Sequence, residues 1–135
     1  MILIVDDDDG FRDALAELFN DEGYEVAMCG NGRQAIDLLL GGLRPLAILL
    51  DVMMPVMNGA DFRAAQLRMA DVHSIPVAVL SASGLSRQAI TASFGAVEYI
   101  PKPMSVATLL AFIERCHASV ETTLPNKMPE RSGAR

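Results

Sequence analysis

Five short apolar runs alternate along the chain with longer segments whose apolar residues recur at helical spacing. The runs are ILIV (2–5), YEVAM (24–28), LAILL (46–50), VAVL (77–80) and VEYI (97–100). The first, third and fourth runs are apolar throughout, which is typical of strands that are covered on both faces in a parallel sheet. We therefore predict a sheet with these three strands in its middle.

A segment of helical period follows each run. The first carries an apolar stripe that starts at Phe11 and Leu15, and the third opens with a helix cap at Asn58. The fourth segment, 84–93, is a weaker helix, and the fifth spans 105–121. Five strand-helix repeats imply right-handed crossovers. The pattern thus predicts an α/β fold, a three-layer (βα)5 sandwich around a central five-stranded parallel sheet.

The length of 135 residues suits one domain. We assign residues 1–121 to that domain. The remaining segment, TTLPNKMPERSGAR (122–135), contains two prolines and few apolar residues. Because such a segment cannot bury enough surface to fold alone, we expect a flexible C-terminal tail.

Composition narrows the classes of partner and compartment. The net charge is −6, aromatic residues make up 5% and Trp is absent, which argues against direct nucleic-acid binding. The apolar run at 2–5 ends in acid and no run reaches the length of a membrane span, so we expect neither a secretory signal nor a membrane anchor. Cys29 and Cys116 lack a metal-binding spacing, as expected of reduced thiols in a cytoplasmic protein.

Polar residues stand where several of the predicted strands end. Asp6 and Asp7 follow the first strand, Asp51 the third, Ser81 the fourth and Lys102 the fifth. In an open parallel sheet, ligands bind at the carboxyl ends of the strands, near the point where strand order reverses. The three carboxylates suit Mg²⁺, and an Asp carboxylate can act as a nucleophile toward phosphorus. This edge therefore predicts metal-assisted phosphoryl chemistry.

Charged residues away from this edge have simpler interpretations. We expect Asp8 and Asp9 to cap and open the first helix, where carboxylates meet free N–H groups. Four arginines are expected on solvated helix faces or helix ends: Arg12, Arg33, Arg44 and Arg63.

Four motifs carry a resemblance to a known family. They are IVDD (4–7), LLDVMMPVMNG (49–59), VLSAS (79–83) and YIPKP (99–103), in this order and spacing. Together they resemble the receiver domain of two-component response regulators, over about residues 2–118. The resemblance implies a flavodoxin-like fold and a signalling domain of the cytoplasm. Such a domain is not an enzyme in the usual sense, although it carries self-phosphorylation and autodephosphorylation chemistry.

The resemblance also implies a role for each acidic residue. Asp51 would accept a phosphoryl group from a histidine kinase or a histidine phosphotransfer protein. Asp6, Asp7 and Asp51 would hold Mg²⁺ together with the backbone carbonyl of Met53. Lys102 would pair with Asp51 at rest and with the phosphoryl oxygens afterwards.

The remaining implied roles concern the conformational switch, which is the change in shape that follows phosphorylation. The Lys102-Pro103 peptide is expected to be cis. Ser81 would donate its hydroxyl to the phosphoryl group, and Tyr99 would rotate inward behind it. This shift would reshape the face of the fourth helix, fifth strand and fifth helix, on which a downstream protein docks. A monomer or a weak, phosphorylation-dependent dimer is expected.

Departures from the family pattern suggest one chain-specific property. Ser81 stands where Thr is commoner, which leaves its rotamer less restricted. Met53 and Ser83 flank the phosphorylation site where regulators often carry polar residues that can orient water. Because Met53 cannot position a water molecule, we hypothesise that the acyl phosphate is comparatively long-lived.

Three alternatives stay open at this point. A Mg²⁺-dependent phosphohydrolase of the haloacid dehalogenase type also uses an Asp nucleophile, but it needs a second acid where this chain has Met53. Within the receiver interpretation, the chain is either a stand-alone receiver or a piece of a longer regulator, for example one that binds DNA. A phosphate shuttle or sink in a relay is the third possibility.

Overall fold

The computed structural model describes residues 1–82 and 84–123, with side chains up to residue 119. Strands and helices alternate strictly through this part of the chain. The strands are β1 (Ile2–Val5), β2 (Val26–Cys29), β3 (Ala47–Asp51), β4 (Val77–Ser81) and β5 (Glu98–Pro101). The helices are α1 (Asp9–Asp21), α2 (Gly32–Leu40), α3 (Gly59–Leu67), α4 (Arg87–Phe94) and α5 (Val106–Thr123).

The five strands form one parallel sheet in the order β2-β1-β3-β4-β5. The three strands that the sequence predicts at the centre do lie there, and β2 and β5 form the edges. Strand order reverses between β1 and β3, because β2 lies on one side of β1 and all later strands lie on the other. The carboxyl ends of β1 and β3 therefore border the crevice in which ligands of such sheets bind.

The core has two layers, one on each face of the sheet. Alternate residues of the central strands face opposite sides, so Leu3 and Ile48 pack with α2, α3 and α4, whereas Ile4 and Leu49 pack with α1 and α5. These residues are fully buried. The predicted three-layer α/β sandwich is confirmed, and both faces of β1, β3 and β4 are covered as their composition requires.

Element boundaries differ from the sequence prediction by two or more residues in three places. β2 begins at Val26, since Tyr24 lies between the turn at 22–23 and the strand, and its ring packs edge-on against Phe19. Helix α4 begins at Arg87 because Ser86 caps it by accepting a hydrogen bond from the N–H of Ala89. Helix α5 continues to Thr123, past the predicted start of the tail. The remainder of that predicted tail, residues 124–135, lies outside the described residues.

The prediction of a solvated Arg63 is wrong. This side chain is 6% exposed and lies under the end of α4. Its guanidinium donates to the carbonyl oxygens of Phe94 (2.9 Å) and Ala96 (3.2 Å) and to Oε1 of Gln66 (2.9 Å). Gln66 is fully buried as well, and it donates to the carbonyls that follow α3. Arg12 is likewise mostly buried, whereas Arg33 and Arg44 are exposed as predicted.

The loop between β3 and α3 contains a strained residue. Val56 has φ +68° and is 83% exposed, in a tight turn that the Met57 N–H closes on the Pro55 carbonyl (2.7 Å). We expect Val56→Gly to increase the free energy of unfolding by about 1 kcal/mol, because relief of strain exceeds the entropic cost of glycine. Denaturant unfolding measures this.

The matched control for this prediction is Ala92→Gly at an exposed position within α4. That change is expected to lower stability by about 1 kcal/mol, since glycine is a poor helix former. Equal losses at the two positions would contradict the strain argument.

Candidate functional site

Side chains from four of the five strands meet at the carboxyl edge of the sheet. Asp6 directly follows β1, Asp51 and Ser81 end β3 and β4, and Lys102 directly follows β5. The register pairs Val5 with Leu50 and Ser81 with Pro101, so these side chains lie side by side. The backbone N–H of Lys102 also donates to the carbonyl of Ser81 (2.8 Å). The convergence predicted from the sequence is confirmed.

Three carboxylates form the acidic part of the site. Asp6, Asp7 and Asp51 each offer an oxygen within 4.8 Å of the others. Asp6 is 1% exposed, Asp51 is partly buried and Asp7 is exposed, so the group opens toward solvent on one side. They line a cavity of about 340 Å³ together with Ser81 and Lys102. Carboxylate oxygens open to water are the ligands that Mg²⁺ prefers, so the donor set fits a hard divalent cation.

Lys102 supplies positive charge to this group. Its Nζ lies 3.1 Å from Oδ2 of Asp6 and 3.7 Å from Oδ1 of Asp51. It also lies 4.2 Å from the centroid of the Phe11 ring. The Lys102-Pro103 peptide is cis, as predicted. The ammonium is thus held among two carboxylates and one aromatic face.

Asp51 is the carboxylate whose ionisation the site perturbs most clearly. Burial raises its pKa to about 6, and repulsion from Asp6 and then Asp7 acts in the same direction. Lys102 and the N–H of Val52, which donates to Oδ1 (2.9 Å), oppose the shift. Near neutral pH the group is therefore mostly ionised, but it carries an electrostatic strain that a bound cation would relieve.

Of the two predicted switch residues, Ser81 lines this cavity, whereas Tyr99 lies on β5 outside its lining. Ser81 is 2% exposed and contributes to the wall of the cavity. Tyr99 pairs with Val79 in the sheet, and its hydroxyl donates to the carbonyl of Leu85 (2.8 Å) in the segment before α4. The Tyr99 side chain is therefore already buried in this structure. It does not occupy the outward position from which the predicted inward rotation would start. Ser83, which the sequence places near the site, lies outside the described residues.

The loop after Asp51 returns tightly to the strand end. The N–H of Gly59 donates to the carbonyl of Val52 (3.0 Å), and a Cβ at this position would collide with the carbonyl oxygen of Asp51. Gly59 thus permits a close approach that fixes the backbone around Asp51. Met53 lies on the rim of the cavity with its side chain 69% exposed.

Asp8 and Asp9 cap and open the first helix, as the sequence predicts. Asp8 is the N-cap of α1 and accepts a hydrogen bond from the N–H of Phe11 (3.1 Å), and Asp9 is the first helical residue. We expect Asp8→Ala to lower the free energy of unfolding by about 1 kcal/mol, because it leaves a helical N–H without its acceptor. Asp9→Ala is expected to cost about 0.5 kcal/mol through the helix dipole. Urea unfolding of both variants tests the order, and a larger loss for Asp9→Ala would contradict it.

Sequence reasoning missed Phe11 and Arg12. Besides the contact of Phe11 with Lys102, Nη1 of Arg12 donates to the backbone carbonyl of Asp6 (2.8 Å), and Nη2 pairs with Asp9. A signal was present, since both residues stand in the first turn of α1, three residues after Asp8 and Asp9 respectively. An apolar residue and an arginine in that turn nevertheless look like ordinary helix positions.

Other chemistry-bearing groups give no second site in the part of the chain that the structure describes. Cys29 and Cys116 are free and buried, and burial raises the pKa of each thiol to about 11, so both are poor nucleophiles. No helix among residues 1–82 and 84–123 is both long and apolar enough to cross a bilayer.

Comparison with known proteins identifies a family. The protein-family sequence model described as the response regulator receiver domain matches residues 2–114. Response regulator MprA of Mycolicibacterium vanbaalenii is 37% identical over 98% of this chain, and transcriptional regulatory protein CpxR of Escherichia coli is 39% identical over 87%. The matches cover 55% and 51% of those proteins, so the chain spans about half the length of these curated relatives.

A solved structure agrees with the sequence comparisons. The signal receiver domain of a signal transduction histidine kinase from Syntrophus aciditrophicus has a TM-score of 0.80 at 26% identity, covering 98% of this chain and 97% of that chain. Since the family model extends from the first strand into the last helix, this chain belongs to the family of response regulator receiver domains of two-component systems.

Proposed function

We propose that Asp51 is the phosphoacceptor of this receiver domain, and that the donor is a phosphohistidine on a histidine kinase or phosphotransfer protein. The observation that carries this is the position of Asp51 at the point where strand order reverses, within reach of two further carboxylates and Lys102. An Asp51 oxygen attacks phosphorus, the O–P bond forms and the N–P bond breaks. The electron pair of that bond returns to the imidazole nitrogen, which takes up a proton.

Asp6, Asp7 and Asp51 would hold Mg²⁺, with the backbone carbonyl of Met53 as a further oxygen ligand. The spacing of the carboxylates supports this part of the proposal, as does the pKa of Asp51, which rises because burial and its acidic neighbours disfavour a further negative charge. When bound, the ion neutralises oxygens of the transferring group. Asp6 is fixed for this role, because its Oδ1 accepts the N–H of Asp8 (2.9 Å) while Oδ2 faces Lys102.

Lys102 and Ser81 would bind the phosphoryl oxygens after transfer. Lys102 lies between Asp6 and Asp51, so its ammonium would contact the phosphoryl oxygens once the group is attached to Asp51. Ser81 would donate its hydroxyl from the end of β4. Tyr99 would respond to this change, since its hydroxyl donates to the carbonyl of Leu85 and so connects β5 to the segment between β4 and α4. The face of α4, β5 and α5 would then dock a downstream protein.

The experiment that tests the function is incubation with Mg²⁺ and acetyl phosphate, followed by intact mass measurement. We expect a gain of one phosphoryl group, lost when a chelator removes Mg²⁺, and peptide mapping should place it in the segment that contains Asp51. Failure of the wild-type chain to gain mass with Mg²⁺ present would overturn the proposal. Multiple turnover of the phosphodonor with no adduct would instead favour the phosphohydrolase alternative.

We expect Met53→Asn to accelerate loss of the phosphoryl group several-fold. Met53 lies at the rim of the cavity and offers no hydrogen bond to an attacking water, whereas an amide at the same place can orient one. The decay of the intact-mass adduct after removal of the donor measures the rate. The control is Leu40→Asn, since Leu40 has the same 69% exposure but lies at the end of α2. Equal decay in Met53→Asn and wild type would contradict the hypothesis.

A further inference from the structure

The ammonium of Lys102 has an aromatic neighbour as well as acidic ones. Its Nζ lies 4.2 Å from the centroid of Phe11, within the range in which the face of a ring attracts a cation. The lysine side chain is 19% exposed, so the ring replaces water on one side of the charge. Asp6 and Asp51 contact the ammonium at 3.1 and 3.7 Å.

Hydrogen bonds connect Phe11, through Asp8, to Asp6 of the acidic group. Asp8 accepts the N–H of Phe11 through its side chain (3.1 Å) and donates its own N–H to Oδ1 of Asp6 (2.9 Å). The other oxygen of Asp6 accepts from Lys102. These contacts therefore connect four residues in a closed cycle: Asp6, Asp8, Phe11 and Lys102. Phe11 stands in the first turn of α1, where the cap fixes the backbone.

Without the ring of Phe11, the ammonium of Lys102 could move into a neighbouring cavity. A cavity of about 480 Å³ adjoins the acidic one, and Phe11, Lys102, Pro103 and Met104 line it. A lysine on its flexible four-carbon stem can sample such a space. An aliphatic side chain at position 11 would fill similar volume, but it would offer the cation no attraction.

We propose that Phe11 is a positioning residue, whose ring face holds the ammonium of Lys102 at the carboxylate group by a cation–π interaction. The placement of Lys102 follows from these contacts alone. Its consequence for phosphoryl transfer rests on the proposed function: an ammonium held at the site is present to neutralise the transferring group.

The chain has two lysines, Lys102 and Lys127, so the placement can be read directly by NMR. Protein labelled with ¹³C-lysine gives two ε-methylene signals, and Lys127→Arg assigns them. We expect the Lys102 signal to be shifted upfield by the ring in wild type and in Phe11→Tyr, and to lose that shift in Phe11→Leu. The measurement needs neither Mg²⁺ nor a phosphodonor.

The second readout is the rate of adduct formation with acetyl phosphate. We expect a decrease of about two- to fivefold in Phe11→Leu, the size of an isolated cation–π contact, and the wild-type rate in Phe11→Tyr. The control is Tyr24→Leu, which removes a half-buried aromatic residue that packs on Phe19, far along α1 from the site. It should change neither readout.

The outcomes separate the two proposals. If the Lys102 signal is the same in wild type and Phe11→Leu, the ring does not position the ammonium and the inference is wrong. An unchanged rate in Phe11→Leu would overturn its link to transfer. If no variant, wild type included, gains a phosphoryl group, the proposed function fails, and the NMR comparison still decides whether the ammonium lies over the ring of Phe11.

Discussion

Replacing Asp51 with asparagine is expected to abolish the phosphoryl adduct formed with Mg²⁺ and acetyl phosphate. The amide is close to the carboxylate in shape, so Gly59 and Val52 can keep their packing around residue 51. It lacks the nucleophilic oxygen, however, and it removes one of three anionic ligands from the proposed metal site. Intact mass after incubation measures the loss.

The matched control for Asp51→Asn is Asp37→Asn. Asp37 lies on α2 with its side chain 60% exposed and pairs loosely with Arg33 at 3.6 Å. The control should gain one phosphoryl group at the wild-type rate. An undiminished adduct on Asp51→Asn would show that another side chain accepts the group, and the proposed mechanism would be wrong.

The same substitution should change stability in a pH-dependent way when a chelator keeps the protein free of metal. The pKa of Asp51 rises from its ordinary value of 3.8 to about 6 on folding, mainly through burial. The folded state therefore binds this proton more tightly than the unfolded state, and ionisation of Asp51 destabilises the fold as pH rises from about 4 to about 6. We expect Asp51→Asn to stabilise the chain more above pH 6 than near pH 4, as followed by thermal unfolding.

The sheet and its functional edge could be predicted because their signals are local. Three all-apolar runs fixed the central strands, and the residue that follows a parallel strand must lie at the same edge as its counterparts. Asp6, Asp51, Ser81 and Lys102 follow from that rule alone, and the structure confirms where they lie.

Other features depend on tertiary contacts that no local pattern carries. The contact between Phe11 and Lys102 joins residues 91 positions apart in sequence, and the place of Phe11 in the first turn of α1 does not identify Lys102 as its partner. The aromatic side chain of Tyr24 suits the start of a strand, but its ring packs edge-on against Phe19 ahead of β2. Arg63 differs from the prediction for a similar reason, since a charged residue on a helix is usually solvated and two of its three acceptors follow about 30 residues later.

The buried position of Arg63 leads to the largest expected effect on stability. We expect Arg63→Ala to lower the free energy of unfolding by about 3 kcal/mol or more. The change leaves the carbonyls of Phe94 and Ala96 and Oε1 of Gln66 without this donor, and an unsatisfied buried polar group costs about 1–3 kcal/mol. It also removes a cation from the C-terminal end of α4, where the helix dipole favours one.

Denaturant unfolding of three variants tests this argument. The control, Arg33→Ala, removes an exposed arginine in a loose pair and is expected to change stability by about 0.5 kcal/mol or less. The change Arg63→Met leaves the same three acceptors without this donor but keeps most of the side-chain volume, so it is expected to cost nearly as much as Arg63→Ala. If Arg63→Ala resembled Arg33→Ala, the buried guanidinium would contribute nothing net, and the tie between α3 and the end of α4 would not stabilise the fold. A loss confined to Arg63→Ala would instead show that the volume of the side chain, rather than the pairing of its three acceptors, accounts for the contribution of this position to stability.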